Sequence, residues 1–124
     1  MGSEFDEMCA IVKWARSVGY AYPELDLLNS SMNGVHLSKA QAGKAKAAGM
    51  VAGWPDLNLP VARGGFHGLY IELKVGRRKP EPHQEAILNA LAAQGHCCQA
   101  IWGSRRAIDF IIDYLEEKII KGAK

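Results

Sequence analysis

"GWPDLNLP", residues 53–60, and "GLYIELK", residues 68–74, decide how this chain reads. Leu57 and Leu59 alternate with Asn58, and Leu69, Ile71 and Leu73 alternate with Tyr70, Glu72 and Lys74. Successive side chains on a strand point to opposite faces, so both stretches read as strands with one apolar face. The Gly-rich "VARGGFHG" (61–68) between them fits a hairpin or a similar tight connection. Asp56 then stands at the start of the first strand, and Glu72 and Lys74 share the outer face of the second. Bringing three ionisable groups together is costly unless a metal ion or a substrate needs them.

Working outward, the loop "GRRKPEP" (76–82) precedes "HQEAILNALAAQG" (83–95), a helix with Gly95 as its stop. "CCQAIW" (97–102) reads as a short buried strand. Ser104 is expected to cap a last helix whose core stripe is Ile108, Ile111, Ile112, Leu115 and Ile119. Upstream, "FDEMCAIVKWARS" (5–17) puts Phe5, Met8, Cys9, Ile11, Val12 and Ala15 on one apolar stripe, and Gly19 ends that helix. "YAYPELDLLNSSMNG" (20–34) reads as loop or short turn, and "SKAQAGKAKAAGM" (38–50) as a short basic helix capped by Ser38. The order helix, basic helix, strand, strand, helix, strand, helix ends in a strand–helix–strand unit and predicts an α/β fold with a mixed sheet flanked by helices.

A length of 124 residues suits a single domain, 1–124, with one core. The apolar fraction of 48% and charged fraction of 23% are those of a globular protein. No apolar run approaches a membrane span, and the acidic "MGSEFDEM" start is unlike a signal peptide, so an intracellular protein is expected. "GSEF" (2–5) is also the kind of sequence a cloning vector leaves, which makes residues 1–4 candidates for vector origin. Cys9, Cys97 and Cys98 are odd in number and suit a reducing compartment. His96 beside Cys97 and Cys98 lacks the two-to-four-residue ligand spacing of structural zinc sites, so the pair reads as small buried side chains.

The net charge of +2 hides a polarity along the chain. Residues 39–79 hold eight Lys or Arg and two acids, a local charge of +6, against −4 for the remainder. Within that basic stretch the two acids are Asp56 and Glu72. Lys44, Lys46, Arg77, Arg78 and Lys79 form an expected footprint for a phosphate backbone. A Glu-x-Lys pair alone is common on amphipathic strands. With Asp56 converging on it, the two carboxylates and the Leu73 carbonyl make a set of hard oxygen ligands suited to Mg²⁺ or Mn²⁺. Lys74 can stabilise charge developing on a phosphate, and the parts match phosphodiester hydrolysis.

The segments "AGKAKAAGMVAGWPDL", "GGFHGLYIELK" and "HQEAILNALAAQGHCCQAI", together with "WAR", "YPEL", "NG" and "IIDYL", resemble the VRR-Nuc family of the PD-(D/E)XK nucleases. The likeness is to its small stand-alone phage and bacterial members and runs over nearly the whole chain. It implies a restriction-endonuclease-like fold with Asp56 and Glu72 as metal ligands, Lys74 as catalytic lysine and Gln84 as a site-positioning residue. Family members also carry a first-helix glutamate four residues before a glutamine. Met8 occupies that glutamine position, which points to Glu4, with Glu7 as the alternative. Many relatives carry a Pro-Asn-Gly-x-Arg loop; "MNGVHL" (32–37) keeps Asn33 and Gly34 without the arginine. The resemblance further implies a homodimeric endonuclease selective for branched DNA such as Holliday junctions, in bacterial or phage-infected cytoplasm. The rival readings are a flap- or single-strand-directed nuclease, a non-catalytic nucleic-acid-binding module, and an enzyme acting on a small phosphate ester.

Overall fold

The computed structural model of the chain describes residues 3–31 and 37–123. The Asn33-Gly34 loop therefore lies outside the described residues. Four helices, α1 (Glu4–Ser17), α2 (Lys39–Ala47), α3 (Pro82–Ala93) and α4 (Ser104–Leu115), surround one sheet. Its strands β1 (Asn29–Ser30), β2 (Leu57–Leu59), β3 (Leu69–Lys74) and β4 (Cys97–Trp102) lie in sequence order. β1–β2 and β2–β3 pair antiparallel, and β4 joins β3 in parallel across α3. The mixed α/β sheet expected from the sequence is present.

Helix starts follow local chemistry. Ser3 Oγ accepts from the Asp6 amide while the Asp6 carboxylate accepts from the Ser3 amide, and Ser38 and Gln41 repeat the arrangement at α2. Such reciprocal bonds satisfy donors that the first turn leaves open. α4 departs from expectation: Ser104 is its first residue, not its cap, and the preceding Gly103 has no side chain to offer. The cap comes from α1, where the Glu7 carboxylate accepts from the Ser104 amide at 3.1 Å and its hydroxyl at 3.2 Å. A carboxylate at a helix N-terminus also complements the helix dipole.

Leu57, Leu59, Leu69, Ile71 and Leu73 form the apolar face of the sheet, against which Ile11 and Ala15 of α1 and Ala107, Ile111, Tyr114 and Leu115 of α4 pack. The α4 stripe is rotated from the one expected. Tyr114 is fully buried, Ile108 and Ile112 are half-buried, and Ile119 lies past the end of the helix. The aromatic ring supplies more apolar area than a third isoleucine, and its hydroxyl is satisfied by the Val61 carbonyl at 2.6 Å. On α1 the stripe splits: Ile11 and Ala15 reach the core, while Phe5 is 63% exposed and Cys9 is also exposed. "CCQAIW" is an edge strand with Gln99 exposed, not a wholly buried one, and among the described residues no strand pairs with its outer side. The stretch read as loop at 20–34 contains a 3₁₀ turn (Pro23–Leu27) and β1.

Just before the site, Gly53 has φ +82°, and a Cβ there would collide with the His83 ring in the first turn of α3. Glycine permits both the left-handed backbone and the close approach. No described helix is long and apolar enough to cross a membrane.

Tyr114→Phe leaves the buried Val61 carbonyl without its donor and should destabilise the fold by about 1–3 kcal/mol. Urea unfolding measures this; an unchanged midpoint would show that the bond contributes nothing.

Candidate active site

Three ionisable side chains meet where β2 begins beside β3. Asp56 is 9% exposed, Glu72 2% and Lys74 5%. Leu57 pairs with Ile71, so Asp56, one step earlier, faces Glu72 across the antiparallel register. Asp56 Oδ2 accepts from the Leu73 amide at 2.7 Å, continuing the attachment of β2 to β3 past the last ladder residue. A strand residue directs its N–H and C=O to the same side, so the Leu73 carbonyl shares the edge that Asp56 occupies.

Gln84, in the first turn of α3, ties the other side of the cluster. Its amide donates to Glu72 Oε2 at 3.1 Å, and its Oε1 accepts from Lys74 Nζ and from the Glu81 amide, both at 2.9 Å. The same side chain that caps α3 therefore fixes the spacing of Glu72 and Lys74. Lys74 Nζ also lies 3.4 Å from Glu72 Oε2.

The charges are unbalanced. Glu72 is pushed up to about 8, chiefly by burial and next by the Asp56 carboxylate, against the lowering pull of Lys74. Asp56 is also raised, first by burial, with the Leu73 amide opposing. Two carboxyl groups bond each other only when they share a proton. Glu72 Oε1 is buried with no hydrogen-bond donor. That orphaned oxygen, beside a second carboxyl group, is the position in the pair that a proton or a cation can take.

Among the described residues no three His, Cys, Asp or Glu side chains gather closely enough to hold a metal ion. The acids come as a pair. That pair fits Mg²⁺ or Mn²⁺, which bind through one or two carboxylates and keep several waters, with the Leu73 carbonyl as a further hard ligand.

The remaining candidates are dispersed. Glu4 lines a cleft together with Asp56, and its carboxylate lies 3.4 Å from Arg78 Nη1. Glu7, the alternative, is engaged in capping α4. Trp102 Nε1 donates to the Arg78 carbonyl at 2.7 Å and so anchors the basic loop to β4. Arg77 and Lys79 are exposed beside Arg78, while Lys44 and Lys46 project from α2, which buries no residue. Sequence reading missed the cleft itself. The one available signal was an α1 apolar stripe wider than a single buried face requires.

No family model matches the chain, and no curated protein does. A solved structure described as a VRR_NUC domain protein superposes with a TM-score of 0.78 at 26% identity, over 99% of this chain and 96% of that one.

Protonated in the fold up to about 8 but ionised above its ordinary 4.5 when unfolded, Glu72 should make metal-free stability decline from about pH 4.5 toward pH 8. Glu72→Gln removes that dependence, so its melting temperature relative to the parent should rise steadily over this range. A difference that stays constant with pH would mean Glu72 titrates normally.

Proposed function

Because this chain belongs to the VRR-Nuc family of nuclease domains, we propose that it is a Mg²⁺- or Mn²⁺-dependent endonuclease that hydrolyses phosphodiester bonds in DNA at Asp56, Glu72 and Lys74. The observation supporting the reading is the buried pair of carboxylates with an unpartnered oxygen on Glu72, held beside an ammonium. A bound divalent ion supplies a Lewis acid for the phosphoryl oxygen and makes water a better nucleophile.

Asp56, Glu72 and the Leu73 carbonyl would hold that ion. Lys74 presents a compact positive charge whose direction Gln84 and Glu72 fix in advance. Such a charge acts mainly where negative charge accumulates on the phosphate in the transition state. Gln84 is a positioning residue, and Glu4 lines the cleft beside the site. Arg77, Arg78, Lys79, Lys44 and Lys46 supply charge for the DNA backbone, with Arg78 exchanging its Glu4 partner for a phosphate.

The finer parts of the proposal are a homodimer and selectivity for branched DNA. Two copies related by a twofold axis offer two sites, as paired nicks across a four-way junction require. A non-catalytic binding module would have no use for burying Asp56, Glu72 and Lys74 together, which favours the enzyme.

Single-turnover cleavage of labelled four-way junction and duplex DNA in Mg²⁺, with binding measured in Ca²⁺, tests the reading. Asp56→Ala should abolish cleavage, and Lys74→Ala should slow it about 100- to 1,000-fold with DNA affinity nearly unchanged. Parental rates in either variant would contradict these roles, and a junction cut no faster than duplex would remove the selectivity.

A further inference from the structure

The cleft beside the site has a volume of about 380 Å³ and runs between α1 and β1. Buried Asp56 and half-buried Glu4 both line it. Phe5, Met8, Cys9 and Val12 of α1 form one wall, and of these only Met8 also packs against the core. Ser30 and Ser31 form the other, attached to the site by the bond from the Ser31 amide to the Asp56 carbonyl at 2.9 Å. Ser31 Oγ is shielded from water and has no hydrogen-bond partner among the described residues. Lys13 and Arg16 continue the helical wall away from Asp56. At 1.5 Å per residue they lie about 14 and 18 Å along the helix from Glu4.

These chemistries belong together only for a particular kind of ligand. Duplex DNA presents phosphates and sugars on its outside and keeps its base faces stacked within, so an apolar wall has nothing to meet. An unpaired nucleotide exposes a flat base that stacks on aromatic and apolar side chains, a polar base edge, and a phosphate on either side. Phe5 with Met8 and Val12 suits the first, the serine hydroxyls the second, and Lys13 with Arg16 the phosphates that follow. The volume falls within the ~300–1,000 Å³ range of small-molecule sites, enough for a base with its sugar.

We propose that the α1–β1 cleft receives an unpaired nucleotide of the strand whose phosphate lies at Asp56, making single-stranded DNA next to the cut the feature this site selects. This rests on the nuclease reading for the identity of the neighbouring phosphate. Branched DNA then binds through a nucleotide left unpaired beside the cut, as in a flap or a junction whose branch point opens on binding, and not through duplex arms alone. Phe5 and Cys9, both exposed, are contact residues of the cleft and lie outside the metal-binding cluster.

Cys9 provides a probe that needs no catalysis. Cys97 is buried and Cys98 half-buried, so mass spectrometry of iodoacetamide-treated protein separates the three thiols. In Ca²⁺, a single-stranded oligonucleotide should slow Cys9 alkylation about tenfold or more, while a duplex of the same sequence at equal occupancy should not. Phe5→Ala should weaken single-strand affinity about tenfold, the usual scale for one lost base stack, and leave duplex affinity unchanged. Equal protection by both DNAs, or no protection by either, would overturn the proposal. So would Phe5→Ala dissociating a dimer without affecting single-strand affinity, since a second copy would then cover the cleft. Cys9 protection by single strands in a protein that cuts no DNA in Mg²⁺ would support the cleft and sink the nuclease reading instead.

Discussion

The arrangement depends on the cost of keeping Asp56, Glu72 and Lys74 out of water in one place. Burial keeps the Glu72 proton on up to about 8, because ionising both carboxyl groups beside one ammonium would leave a surplus negative charge where solvent screens poorly. The fold contains this by tying the cluster to two elements. Asp56 is bonded to the β3 backbone through the Leu73 amide, while Glu72 and Lys74 are bonded to α3 through Gln84. The Asp56 carboxylate, one residue before β2 begins, extends the attachment of that three-residue strand to β3. α3 is held in register with the sheet by the same amide that caps it. A divalent cation that replaced the Glu72 proton would balance both carboxylates, which is what gives the site an appetite for one.

Much of this was legible in the sequence because it is local. Period-two alternation fixed the faces of residues 57–59 and 69–74, and with them the side shared by Glu72 and Lys74. Ser38 announced α2, and Gly95 announced the end of α3. What escaped depends on partners distant in the chain. β1 is two residues long and exists only because Asn29 and Ser30 meet Asn58 and Leu57. The α4 cap could not be read from its own sequence, since Glu7 lies 97 residues before Ser104. Tyr114 belongs to the core because the Val61 carbonyl is there to receive its hydroxyl.

The candidate site divides along the same line. Asp56, Glu72, Lys74 and Gln84 come together as their spacing and the family resemblance imply. Between Glu4 and Glu7, one turn apart on a helix, only the family spacing to Met8 favoured Glu4 in sequence. The structure gives them different surroundings: Glu7 is turned inward to α4, and Glu4 outward to Arg78 and the cleft. An amphipathic stripe records that side chains are apolar, not whether a core or a ligand will cover them. That is why Phe5, Cys9 and Val12 looked like core.

The central claim, that the Asp56–Glu72 pair is a divalent-metal centre, is tested most directly by calorimetric titration of Mn²⁺ into the DNA-free protein near pH 7. Binding should release protons, because Glu72 gives up the one it holds below about 8. The parent should bind with a heat that varies with the ionisation enthalpy of the buffer. Glu72→Gln should lose both the affinity and the buffer dependence. Equal Mn²⁺ affinity in parent and Glu72→Gln, with no proton release in either, would contradict the account.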